Sequence, residues 1–323
     1  MIKNILITGG AGYIGSHISE ILVKNKKKIF IVDNLSTGYR TLINKKAKFF
    51  KVNILEVKTV KKIIQENKID SVIHLAANLI ISEGEKYPKK YYRNNVVGTQ
   101  NLLKACSKST VKNFIFSSTA AIYKDGQFKV SENSIIKPKS VYGKTKINCE
   151  KIIQSFCKRN NINYGILRYF NIAGSSPSGK IGLINKSDHL FKNFSREVMK
   201  KRPVLKIYGN DYKTKDGSCI RDFIHVSDIA EIHFKVLEKI DKTNKSKILN
   251  CGYNKGTSVL DVANEFKKQT SKKVKILITK RRKADLVKII ASNNKLMRFI
   301  RWKPKFNNLR KIVKSCLMWE KRQ

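Results

Sequence analysis

The chain has 323 residues, 41% of them hydrophobic and 28% charged. That is enough for about two domains with a sizeable core, and no apolar run approaches the roughly 18 residues that cross a membrane. With 17 Gly and 5 Pro it is neither collagenous nor proline-rich, and the apolar share argues against disorder.

The 68 Lys and Arg against 23 Asp and Glu give a net charge of +45, which raises nucleic acid and anionic membrane surfaces as partners. The lysines are spread in pairs and triplets (Lys26-Lys27-Lys28, Lys61-Lys62, Lys200-Lys201, Lys267-Lys268), without a basic tail or arm. No specific nucleic acid and no membrane is therefore expected, with weak polyanion binding as a by-product of charge. The opening Met1–Thr8 has too short an apolar run for a signal peptide and leads directly into glycines, which predicts a cytoplasmic protein. Cys106, Cys149, Cys157, Cys219, Cys251 and Cys316 form no C-x-x-C pair and no Cys/His cluster, so reduced core thiols are expected and no metal.

In chain order, short apolar strands alternate with amphipathic helices. Strands are predicted at Asn4–Thr8, Lys28–Val32, Lys48–Lys51, Ser71–Ala76, Asn113–Ser117 and Asn163–Tyr169; helices at Ser16–Lys24, Thr59–Asn67, Asn94–Ser107 and Ser140–Asn160. This alternation predicts an α/β fold: a Rossmann-like, doubly wound parallel sheet. After Asn171 the pattern loosens into polar loops at Ser175–Gly179 and Gly209–Ser218, while His225–Lys239 and Lys247–Asn250 return to the main sheet. The expected division is a dinucleotide-binding domain at 1–172 and 221–250, and a smaller, discontinuous C-terminal substrate lobe at 173–220 and 251–323.

Residues Ile5–Ser16 read as a strand, a turn carrying Gly9, Gly10, Gly12 and Gly15, and a helix start. Glycines there allow a tight turn and bring backbone N–H groups close to a pyrophosphate at the helix N-terminus. A second strand ends in Asp33, 18 residues past Gly15, where a carboxylate accepts from ribose hydroxyls and repels a 2′-phosphate. The expected cofactor is NAD rather than NADP. Tyr142 and Lys146 stand at i, i+4 on one helix face. An ammonium beside a phenol is expected to lower the phenol pKa and make it a general base. The same spacing arises often by chance in a Lys- and Tyr-rich chain, but Phe114–Tyr123 is a strand ending in Ser117, Ser118 and Thr119 at the ligand-binding edge of such a sheet.

With these motifs the chain resembles the extended short-chain dehydrogenase/reductases and, within them, the UDP-glucose (UDP-galactose) 4-epimerase family. The resemblance runs through Thr8–His17, Val32–Gly38, His74–Ala77, Asn94–Gly98, Tyr142–Lys146, Leu167–Asn171, Gly209–Gly217 and Ile220–Val226. It implies inversion at C4 of a UDP-sugar through a transient 4-ketose and NADH, with Tyr142, Lys146 and Thr119 catalytic. It implies that NAD lies against Gly9, Gly12, Tyr13, Ile14, Asp33, Asn34, Leu35, Ser36, Thr37, Gly38, Asn53 and Ile54. Leu75, Ala76, Ala77, Asn78, Leu79, Asn95, Thr119, Tyr142, Lys146 and Phe170 complete the implied cofactor site. Thr119, Tyr142, Asn171, His189, Leu190, Tyr208, Arg221, Arg282 and Asp285 are implied to line the UDP-sugar site, the arginines clamping its diphosphate.

The resemblance also implies a homodimer joined through Asn94–Ser107 and Ser140–Asn160, with Leu102, Leu103, Cys149, Ile152, Ile153 and Phe156 as apolar surface that could equally face their own sheet. Asn53, Leu79, Lys124, Phe223 and Ala284 depart from the family pattern, and Lys124 and Ala284 are expected to alter the sugar pocket. Ala120 and Ala121 stand where related dehydratases and decarboxylases carry carboxylates, which disfavours both. A 4-epimerase of another UDP-sugar (glucuronate, N-acetylhexosamine or pentose), or a basic polyanion-binding protein with a vestigial Rossmann domain, are the alternatives.

Overall fold

The computed structural model describes residues 2–184, 189–282 and 286–323. Seven strands form the main sheet: β1 (Asn4–Thr8), β2 (Lys28–Val32), β3 (Lys48–Phe50), β4 (Ser71–His74), β5 (Asn113–Thr119), β6 (Asn163–Tyr169) and β7 (Lys247–Cys251). Their spatial order is β7-β6-β5-β4-β1-β2-β3, and every neighbouring pair is parallel. The order reverses between β1 and β4, which opens a crevice at their carboxyl ends, the general ligand site of open α/β sheets. Strands buried on both faces need apolar side chains throughout: Ile5, Leu6, Ile7, Val72, Ile73, Phe114 and Ile115 are completely inaccessible. Helices cover both faces through one apolar stripe each; Val57–Glu66 buries Val60, Ile63 and Ile64 while its lysines face outward.

The expected strands all occur, within two residues at their ends. The segment after His225 returns as helix Val226–Thr243 and then β7, which pairs with β6 from Lys247↔Gly165 to Cys251↔Tyr169. The helix expected at Asn94–Ser107 is not uniform: Tyr92–Val97 is a π-helical turn followed by α-helix Gly98–Cys106. Within it, the Asn95 carbonyl accepts from the Thr99 hydroxyl (2.6 Å) and the Cys149 thiol (3.2 Å). Such widened turns recur at functional sites.

Beyond the main sheet, Val204–Tyr208 pairs with Lys275–Thr279, and Asn171–Ala173 with Phe223–His225. A four-stranded sheet joins Thr257–Ser258, Ile220–Arg221, Lys288–Ala291 and Lys129–Val130. The last strand, short and far away in sequence, has no periodic signal of its own. Buried Asp222 fastens these parts together: its carboxylate accepts from the backbone N–H groups of Tyr253 (2.8 Å), Asn254 (2.9 Å) and Ala291 (3.1 Å). Burial still pushes its carboxyl up to about 6. Lys192 and Glu320, both buried, pair at 2.7 Å and tie helix Leu190–Met199 to the C-terminal helix Leu309–Glu320.

Leu102, Leu103, Cys149 and Ile153 lie in the core beneath their own sheet and are at most 1% exposed, so they are not available as the intersubunit surface the sequence offered; Ile152 and Phe156 are half-buried against the same core. All six cysteines are buried. Among the described residues no helix is long and apolar enough to cross a membrane.

Candidate active site

The crevice begins at the turn after β1. Gly9 has φ +74°, and a Cβ there would meet the backbone of Ala76 at 2.7 Å; a Cβ on Gly15 would meet the Gly9 carbonyl at 2.5 Å. Glycine is thus required where the turn, the first helix (Tyr13–Lys24) and the segment after β4 crowd together. Gly12 caps that helix without any side-chain partner, so the N–H groups of its first turn, opened by Tyr13 and Ile14, are left for an external anion. Asp33, at the end of β2, accepts from the N–H of Ala11 (3.0 Å) and of Leu35 (2.8 Å), which leaves acceptor capacity on both oxygens. Burial raises its carboxyl above the usual range, and the two N–H groups oppose that. Gly38 closes over it, with room for no side chain: a Cβ would lie 3.0 Å from both Asp33 oxygens. Asn34 orders the loop before Ser36 and Thr37 by accepting from the Ser36 N–H at 3.0 Å. An uncapped helix start, a tight glycine turn and a carboxylate at the next strand end fit an adenine dinucleotide with a free ribose.

Asn53 accepts from the Leu55 N–H at 3.0 Å and so is engaged in its own turn, with Ile54 buried beside it against Gly98. Leu75, Ala76, Ala77 and Asn78 follow β4 along the crevice, and Leu79 is 58% exposed. Behind them runs a buried chain of hydrogen bonds that sequence reasoning missed. Thr8 Oγ1 meets His74 Nδ1 (2.7 Å), His74 Nε2 meets Thr99 Oγ1 (2.9 Å), and Thr99 donates to the Asn95 carbonyl. Asn95 Oδ1 accepts from the Asn78 N–H (2.8 Å), its Nδ2 donates to Thr145 Oγ1 (3.1 Å), and Thr145 donates to the Tyr142 carbonyl (2.8 Å). The phosphate turn is thereby connected to the helix that carries Tyr142.

That helix, Val141–Arg159, starts at Ser140, whose hydroxyl accepts from the Gly143 N–H (3.1 Å). Lys146 is buried, donates to the Ser117 carbonyl at 2.8 Å and lies 5.8 Å from the centre of the Tyr142 ring. The Thr119 hydroxyl accepts from the Ala121 N–H (3.1 Å), and its side chain is near enough to the Tyr142 phenol to lower its pKa. The three residues named from the sequence are therefore together at the carboxyl end of β5. Burial pushes the Tyr142 phenol of the chain alone up to about 12, against the lowering expected of Lys146, and the Thr119 side chain pulls it back only in part. The same burial pulls the Lys146 ammonium down to about 8, because desolvation penalises both charged forms.

Phe170 is buried at the end of β6. Asn171 is exposed and begins the next short strand. His189 Nε2 bonds the Ile172 carbonyl at 2.6 Å, which brings the start of helix Leu190–Met199, and Leu190 with it, beside that strand. The Arg282 guanidinium lies 3.9 Å above the Tyr208 ring. Arg221 belongs to another small sheet, in register with Ile289. Lys124 is exposed, and Phe223 is buried in edge contact with Phe191 at 5.0 Å. Ala284 and Asp285 lie outside the described residues.

Fold and site together define a dinucleotide-dependent Rossmann enzyme of the Tyr-x-x-x-Lys type. The profile of the NAD dependent epimerase/dehydratase family matches residues 5–252, and the chain belongs to that family. It is 37% identical over 319 residues to the UDP-glucose 4-epimerase of Lactobacillus helveticus, covering 98% of this chain and 97% of the relative. A crystal structure of a UDP-glucose 4-epimerase superposes with a TM-score of 0.96 at 33% identity, covering 99% of this chain and 98% of the other. The UDP-Glc/GlcNAc 4-epimerase of Campylobacter jejuni superposes with a TM-score of 0.86 at 38% identity, covering 99% of this chain and 100% of the other.

Proposed function

We propose that this chain is an NAD-dependent UDP-glucose/UDP-galactose 4-epimerase. The observation that supports this best is Lys146, on one helix face with Tyr142 and docked on the Ser117 carbonyl at 2.8 Å beside Thr119 at the sheet edge, with Ala120 and Ala121 where a dehydrating enzyme of this kind would need carboxylates. When bound, NAD supplies a reversible hydride acceptor and a positive ring that favours phenolate. Asp33 receives the ribose hydroxyls, and the helix start at Tyr13 and Ile14 receives the pyrophosphate. Tyr142 takes the proton of the sugar 4-hydroxyl, directly or through Thr119, and returns it once the 4-keto sugar has presented its other face. Lys146, held in place by its tie to Ser117, sets an ammonium beside Tyr142 that together with the NAD ring would oppose the burial that raises the phenol.

Arg221 and Arg282 hold the diphosphate, while Asn171, His189, Leu190, Tyr208 and Asp285 surround the rest of the nucleotide sugar. Firm grip on UDP and loose grip on the hexose allow the turnover between faces. In this reading residues 1–172 and 221–250 serve NAD, 173–220 and 251–323 serve the UDP-sugar, and the enzyme is a cytoplasmic homodimer. Val97, 40% exposed on the π-turned helix, supports that pairing face in place of the buried leucines. Acceptance of an N-acetylated sugar is a second reading, favoured by the Campylobacter jejuni relative.

Incubation of the purified protein with UDP-galactose should yield UDP-glucose without added oxidant or reductant, and denaturation should release NAD. No product from UDP-galactose but turnover of UDP-N-acetylglucosamine would move the assignment to the second reading. Absence of both products and of NAD would remove it.

A further inference from the structure

Three consecutive residues at the end of β5 are each tied to the helix that carries Tyr142. The Ser117 carbonyl accepts from Lys146 (2.8 Å), the Ser118 hydroxyl donates to Glu150 Oε1 (2.5 Å), and the Thr119 side chain is near enough to the Tyr142 phenol to lower its pKa. The helix partners, at 142, 146 and 150, recur every four residues and so share one face. Glu150 is wholly buried and gripped at two points by Arg168, Nε to Oε1 at 3.0 Å and Nη2 to Oε2 at 2.7 Å. Arg168 Nη1 donates to the Tyr123 hydroxyl (3.0 Å) and the Glu132 carbonyl (3.1 Å), and Tyr123 donates to Asn250 Oδ1 (2.6 Å). The short 3₁₀ turn Ala120–Ile122 is thus anchored on both sides, at Thr119 and at Tyr123.

A buried ion pair is a poor device for stability alone, since apolar residues of similar volume serve as well. What this pair adds is direction: both oxygens and three guanidinium nitrogens have one satisfied arrangement, and that arrangement sets the strand end against the helix. We propose that Ser118, Glu150 and Arg168 are positioning residues that fix Thr119 against Tyr142. The inference rests on the reading of Thr119 and Tyr142 as the proton-handling pair of a 4-epimerase. Misplacement of reacting groups by about 1 Å costs about 10²-fold in rate, so a looser clamp should be visible in turnover.

The test is Ser118→Ala in the holoenzyme, which removes the strand's link to the clamp and leaves the ion pair intact. Expected are a fall in kcat of about 10-fold with KM unchanged, and a rising limb of the kcat pH profile moved to higher pH. The shift follows because Thr119, whose side chain favours phenolate, is held less closely. Combined with Thr119→Ala, Ser118→Ala should add no further loss. Should Ser118→Ala fail to fold, Ser118→Cys, which keeps the size and the ion pair but weakens the bond to Glu150, should behave likewise. A wild-type pH profile in the variant, or losses that multiply with Thr119→Ala, would overturn the proposal. Ultraviolet titration of Tyr142, taken as the difference from Tyr142→Phe with and without Ser118→Ala, reads the same coupling without substrate. An enzyme that epimerises no UDP-sugar would therefore sink the reaction assignment while the phenol titration still decides the positioning.

Discussion

At the carboxyl end of β5, Lys146, Glu150 and Arg168 are all buried, and each charged group is hydrogen-bonded to a partner fixed by the main sheet. Elsewhere, Tyr208 ends one strand of a two-stranded sheet and Arg282, stacked on its ring, follows the other strand, Lys275–Thr279, which leaves Leu277 38% and Ile278 48% exposed. The first region is over-determined: seven parallel strands, a capped helix and a continuous polar network all place the same few atoms. The second has fewer constraints per residue and more solvent. Proton transfer tolerates little displacement, whereas recognition of one sugar against another turns on modest differences in pocket shape. In the proposed reading the rigid half handles the proton and the lightly built half faces the nucleotide sugar.

That contrast can be broken most sharply at Tyr142. Tyr142→Phe should lower kcat by ~10²–10⁴-fold, the usual worth of a general base, with UDP affinity by calorimetry nearly unchanged. Near-normal turnover would mean that the over-determined region serves something other than proton transfer. Next in size is Arg168→Met, which strands the Glu150 charge in the core and should cost about 3–5 kcal/mol of stability in denaturant unfolding. A loss under about 1 kcal/mol would show that the network is slack. In the lightly built half, Arg282→Ala should raise KM for the UDP-sugar about 10- to 100-fold, as expected of one charged hydrogen-bonding group, with unfolding and NAD content little altered. Loss of NAD or of fold in that variant would erase the distinction between the two regions.

The smallest expected effect is a pH dependence. His74 and His225 are held down to about 3, and His17 and His233 to about 4, by burial. Above their ordinary value of about 6.5 they are neutral folded or unfolded and contribute no pH dependence. As pH falls below 6.5 the unfolded chain takes up protons that the folded one refuses, so stability declines. Asp222, raised to about 6, and Asp33 and Asp228, also raised by burial, act in the opposite direction, adding stability as pH falls, but they are three groups against five histidines, His189 being lowered by burial too. Urea midpoints should therefore drop between about pH 6.5 and about pH 4, and a flat profile would show that the histidines are protonated in the native state.

Much of the scaffold was legible because its signals are local. Apolar runs such as Ile5–Ile7 and Phe114–Phe116 must be strands when flanked by amphipathic helices; Gly9 and Gly15 must be glycine because of backbone contact; and Asp33 follows from its distance to the turn. Tyr142 and Lys146 share a helix face by spacing alone. What remained hidden depends on partners distant along the chain. Glu150 and Arg168 look like ordinary surface charges until the helix is laid over β5 and β6. Lys129–Val130 becomes a strand only because Ile290–Ala291 lies beside it.

The sequence by itself determined the alternation of elements, the glycine turn and the shared helix face of Tyr142 and Lys146, since each rests on contacts within a turn or two of chain. Only the tertiary structure decided which faces were inward, so that Leu102, Leu103, Cys149 and Ile153 went to the core and not to a partner. It also decided the sign of the shift at Tyr142, because desolvation is a property of everything packed around a group, and no spacing of charges along the chain reports it.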